Sequence, residues 1–135
     1  WRHPDAEQTE WAEKTIQRGP TKTGDLSFIY AERFQRMAEY PDEAQIPLHL
    51  VRIGSACLGT MPCEIFCEIG LEFRQRSPIQ SAFLVSLAHG YYGYLPTPKQ
   101  HALGGYETWL GTNRLETAAS DKLLTNLLEM AEELK

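Results

Sequence analysis

The sequence lacks the markers of several common function classes. Its 135 residues carry 18 Asp and Glu against 13 Lys and Arg, a net charge of -5. A broad basic surface is therefore missing, and nucleic acid is not an expected partner. No apolar run approaches the roughly 20 residues that a membrane-spanning helix needs. Short chemical motifs are missing too: His3, His49, His89 and His101 form no HExxH, and neither a phosphate-binding glycine loop, a dinucleotide fingerprint nor a nucleophile elbow occurs. Cysteine is scarce, with Cys57, Cys63 and Cys67 clustered in an odd-numbered group. The four-residue step between the last two lacks the gap of a zinc or redox pair and puts both on one helix face, so buried apolar thiols are the plain reading.

What is present reads as one domain of α/β class, a mixed sheet flanked by helices, spanning 1–135. Residues 5–18 are expected to form an outer helix, with Asp5, Glu7 and Glu10 early, Lys14 and Arg18 late, and a thin apolar stripe. A second helix is predicted over 25–40, with Leu26, Ile29, Tyr30, Phe34 and Met37 at helical spacing. The period then changes. Residues 46–53 alternate as a strand, Gly54 and Ser55 turn the chain, and 56–61 return as a second strand. Pro62 then opens a predicted helix through Arg76, with Glu64 in its first turn and Gly70 in its middle, where close packing should explain a glycine. Residues 81–87 read as a strand. Residues 89–106 hold four tyrosines, four glycines and two prolines and read as a loop with rigid points. A final amphipathic helix is predicted over 120–134, capped by Ser120 and Asp121.

The chemistry points to residues 61–109. Glu64 stands where a strand passes into a helix, the edge of an α/β sheet at which ligands collect. It also reads as an exposed glutamate complementing a helix dipole, and Tyr106 as an ordinary half-buried aromatic. Cys63, near a helix start, offers a thiolate as a further possibility.

A resemblance adds weight to the ligand reading. Pro62, Cys63 and Glu64 are followed by Gly70 and Arg74, and then by His89, Tyr91, Gly93, Tyr94, Thr97, Pro98, Tyr106 and Glu107. In that register residues 51–107 resemble the later part of the catalytic domain of the neutral/alkaline (non-lysosomal) ceramidase family. Those proteins are zinc amidohydrolases that cleave the N-acyl bond of ceramide. The resemblance implies that Glu64 and Tyr106 are zinc ligands, with His89, His101, Tyr91, Tyr94 and Arg74 as accessory residues. It also implies that two histidine ligands come from another part of the domain, that the substrate is a small amide or lipid, and that two ligands alone leave this piece inactive. Opening on Trp1, the chain is expected to be a processed product or a piece of a longer one. Exposed apolar surface and self-association follow as expectations.

The sequence departs from the family pattern in four places. Cys63 replaces a glycine, His89 an asparagine and His101 a tyrosine, and Thr108, Trp109, Leu110 and Gly111 replace a Gly-Ala-Ser-Thr run. An α/β interaction module that kept the scaffold without metal is the alternative reading.

Overall fold

A computed structural model describes residues 1–135. The chain begins with a helical hairpin. Helix α1 (Ala6–Arg18) starts at a capping box in which the Asp5 carboxylate accepts from the Gln8 amide and the Gln8 side chain accepts from the Asp5 amide. Helix α2 (Leu26–Ala38) is capped by Asp25, whose carboxylate accepts from Thr21, Ser27 and Phe28. These bonds, the backbone amide of Thr21 first, hold the Asp25 pKa at about 2. The two helices pack through Ala12, Thr15, Ala31 and Met37, with Trp11 tilted on Phe34 at 5.6 Å.

The second layer is a three-stranded mixed sheet. Strands β1 (His49–Ile53) and β2 (Ala56–Thr60) form an antiparallel hairpin around Gly54, and β2 runs parallel to β4 (Ser81–Val85), reached by way of α3 (Cys67–Arg76). Strand alternation gives the sheet two different faces. Cys57 and Ala82 point inward onto Ile69 and Phe73 of α3 and onto Leu123, Leu124 and Leu127 of α5 (Ala119–Glu133). Gly59 lets α5 come close: a Cβ there would meet Leu84 at 2.6 Å and Leu127 at 3.4 Å. The other face is uncovered. Val51, Leu58 and Phe83 stand side by side on it in register, and Val51, Ile53 and Phe83 are 47%, 73% and 51% exposed.

The mixed α/β class, the two N-terminal helices, the strand pair and the strand over 81–85 match the sequence expectations, while the parallel pairing of β2 with β4 is a finding of the structure. Three details differ. Residues 62–66 are not helical: Pro62 and Cys63 form a bend, strand β3 (Glu64–Ile65) pairs in parallel with β5 (Tyr94–Leu95), and α3 begins only at Cys67. The cause is backbone pairing, because Gly93 and Leu95 carbonyls take the Glu64 and Phe66 amides, and the carbonyls of Met61, Pro62 and Cys63 are taken by Ala88, Tyr92 and Leu87. Residues 89–106 are more ordered than a loop, holding β5, α4 (Pro98–Leu103) with its Thr97–Gln100 capping box, and the first residue of a 3-10 turn (Tyr106–Thr108). Helix α5 begins at Ala119 without a side-chain cap, and Ser120 is buried inside it.

Gly70 does not serve close packing, since a Cβ there would meet nothing within 4 Å. Gly70→Ala is therefore expected to stabilise the fold by about 0.5–1 kcal/mol. Gly93 is the opposite case: its φ is +83° and a Cβ would run into the Thr112 carbonyl. Gly93→Ala should cost about 2 kcal/mol or more. Urea denaturation of the two variants beside the parent protein checks both signs.

Candidate functional site

Pairing of β3 with β5 sets the site. The register puts Glu64 next to Tyr94, and side chains at paired positions of a parallel ladder share a face. Ser86 clamps the same segment from the other side, donating to the Cys63 carbonyl at 2.8 Å and accepting from the Ile65 amide at 3.3 Å. Glu64 is thus carried on a backbone whose polar groups are taken up on both sides.

The tyrosines gather on that carboxylate. Tyr91 donates its hydroxyl to Glu64 Oε1 at 3.0 Å. Burial raises the Tyr91 pKa, and the hydrogen bond and charge of Glu64 raise it further, against the opposing charges of Arg114 and Arg33. Glu64 also raises the Tyr94 pKa, by a hydrogen bond first and then by its charge. Both phenols stay protonated at neutral pH, and Tyr91 serves as a donor to the carboxylate. Tyr106 joins through Tyr94: the rings meet edge to face at 6.1 Å, and Tyr106 meets Trp109 in the same way at 5.6 Å. Glu64, Tyr91, Tyr94 and Tyr106 therefore form one cluster.

The remaining predicted residues lie elsewhere. His89 sits in the left-handed region at φ 67° and stacks on His49 at 4.1 Å. That conformation suits an asparagine, the residue which the family pattern has there. Cys63 is not at a positive φ, so the turn does not need a glycine. Arg74 is on the exposed side of α3. His101 is in α4 with a buried Nε2 that has no hydrogen-bond partner, and burial, then the charge of Arg2, lowers its pKa. Cys63 and Cys57 are buried and Cys67 is exposed. Because α3 begins only at Cys67 and Cys63 lies outside it, Cys63 and Cys67 do not share a helix face. Burial pushes the Cys63 thiol up to about 12, which removes it as a nucleophile at neutral pH.

Several organising residues carry no motif. Asn113 is fully buried behind the site, where its amide donates to the Tyr94 carbonyl at 2.9 Å and its side-chain oxygen accepts from Arg2 at 2.6 Å. Tyr30 and Thr112 share a hydrogen bond at 2.6 Å, fixing Tyr30 beside Trp109. A buried polar residue after a glycine-rich segment was the one available signal for Asn113, and asparagine there reads equally as a turn residue. The largest cavity, about 780 Å³ and open to solvent, lies between the helical hairpin and residues 108–110, lined by Trp11, Leu26, Tyr30, Phe34, Trp109 and Leu110 among others.

No group of three or more His, Cys, Asp or Glu side chains is arranged to hold a metal ion. The donors on hand are oxygens, the Glu64 carboxylate and the Tyr106 phenol, suited to part of a zinc shell and short of the three protein ligands of a catalytic one. Comparison with protein-family models, characterised proteins and solved structures finds no match.

His101 gives the fold a pH signature. Its folded pKa lies below the ordinary value near 6.5, so as pH falls the unfolded chain takes up the proton first and stability is lost. The urea midpoint should fall between about pH 7.5 and about pH 5.5, and the fall should be smaller in His101→Gln. An equal fall in both proteins would remove His101 as its source.

Proposed function

We propose that this chain is part of a zinc-dependent amidohydrolase resembling neutral ceramidase, with Glu64 and Tyr106 as two of the metal ligands. The observation that carries the reading is the β3–β5 register, which brings Glu64 and the Tyr94–Tyr106 pair from distant parts of the sequence to one place. In this reading the other donors are histidines from another part of the same domain, and the whole protein cleaves the N-acyl bond of a small amide or lipid. Zinc in such a shell supplies a Lewis acid for the amide carbonyl and a water with a pKa lowered toward about 7. The residues of this chain orient the carboxylate: Tyr91, kept as a neutral donor, fixes its direction, and Tyr94 stands beside it in the strand register. The open cavity one ring beyond Tyr106, with Trp11, Phe34, Trp109 and Leu110 in its wall, gives the hydrocarbon part of a substrate apolar surface to lie on.

Elemental analysis of the longest native form of the protein tests this. About one zinc per chain, lost in Glu64→Gln while stability changes by less than about 0.5 kcal/mol, is the expected outcome. Absence of zinc from both forms would sink the metal reading.

A second reading, a non-catalytic interaction module, draws on the uncovered sheet face. Three strands of five residues, at about 4.8 Å and about 3.3 Å spacing, make a face of roughly 250 Å², well below the roughly 800 Å² per partner of a standard interface. Such a face suits one further layer of the same domain better than a tight dimer. Self-association through it should be weak and dye binding clear. The double substitution Val51→Lys and Phe83→Lys should abolish both, with stability changed by less than about 1 kcal/mol. Dye binding that survives it would place the apolar surface elsewhere.

A further inference from the structure

A second feature borders the Glu64 cluster. Arg33 and Arg36 of α2 and Arg114 of the segment entering α5 line one recess of about 30 Å³, together with Met37, Tyr40 and Gly111. In a chain with five more acids than bases, a carboxylate beside each arginine would be the ordinary outcome. None of the ion pairs of the chain involves these three. Only Arg36 has a hydrogen bond, a long one of 3.4 Å from its Nε to the Glu32 carbonyl.

Two of the three guanidinium groups are nevertheless positioned. Arg33 lies over the Tyr30 ring at 4.9 Å and Arg114 over the Tyr91 ring at 5.0 Å. Both rings are themselves held, Tyr30 by its bond to Thr112 and Tyr91 by its bond to Glu64. Gly111, at φ +90°, lets the backbone lie directly on the Arg33 stem: a Cβ there would come within 3.2 Å of Arg33 Cβ and Cδ. Rigid stems with free N–H groups are the arrangement that recognises an oxyanion, because little side-chain freedom is left to lose on binding.

We propose that Arg33, Arg36 and Arg114 form a binding site for a phosphate group. The recess admits about two water-sized groups, enough for two oxygens of a phosphate to enter while the rest of the group and the molecule that bears it stay at the mouth. The site does not depend on a metal at Glu64, whose carboxylate is at the hydroxyl end of Tyr91 while Arg114 lies over the face of that ring.

Titration of the full chain with inorganic phosphate, followed by calorimetry and by the amide resonance of Gly111, tests the proposal. Saturable binding is expected, weakened about tenfold in Arg114→Gln and in Arg36→Gln. Arg36 is exposed on α2, so its variant leaves the fold intact. Sedimentation with phosphatidylcholine vesicles, with and without phosphatidic acid, separates the two sources of the group. Pelleting only with phosphatidic acid, lost in both variants, assigns a lipid-borne phosphate. Phosphate binding without pelleting assigns a soluble one. No response to either probe, or a response that both variants retain, overturns the site.

Discussion

The rest of the molecule depends on how residues 61–66 are held. In isolation Pro62 followed by an acid favours a helix start. Here three carbonyls and two amides of this stretch bond to residues 87–95, and Ser86 bridges Cys63 and Ile65. A buried backbone group without a partner costs on the order of a hydrogen bond or more, so the competing partners decide the conformation. The outcome delays α3 to Cys67 and turns Glu64 from a helix-dipole partner into a strand residue facing Tyr94.

Two layers meet at a seam, and the polar and aromatic side chains of interest collect there. The core of the sheet, α3 and α5 contains no residue of the helical hairpin. Residues 106–114 run between the two, held by Asn113 and by the Tyr30–Thr112 bond on one side and by the Tyr94–Tyr106–Trp109 rings on the other. Apolar packing within each layer is insensitive to direction. The seam is specified instead by buried polar bonds, which tolerate only one arrangement.

How much of this was legible in the sequence differs by element. Helical period and end signals located α1 and α2, each starting one residue later than expected because Asp5 and Asp25 are caps, and alternation found β1, β2 and β4. Those signals are local. Strands β3 and β5 are two residues each and exist only through each other, so no periodicity could reveal them. The entry to α5 misled because Ser120 and Asp121 look like a cap, while burial of Leu123, Leu124 and Leu127 pulls the helix start back to Ala119. At the site, Glu64, Tyr91, Tyr94 and Tyr106 were named from motif spacing and lie together. His89 and Arg74 were named in the same way and lie apart from them, since spacing says nothing about which side of a backbone a residue occupies. Arg33 and Arg114 escaped notice because they are far apart in sequence and follow no motif.

Arg2 has a consequence for how the protein reaches this state. Its side chain bonds to the Thr108 carbonyl and the Asn113 side chain, and its amide to the Arg114 carbonyl, across separations of 106 and 111 residues for the two side-chain bonds. Contacts of such span close almost the whole chain into a loop, and their entropy cost falls due before they return any stabilisation. The β1–β2 hairpin and the helices can form from neighbours in sequence. The back of the tyrosine cluster cannot, so it belongs among the last parts to consolidate during folding and among the first to come loose.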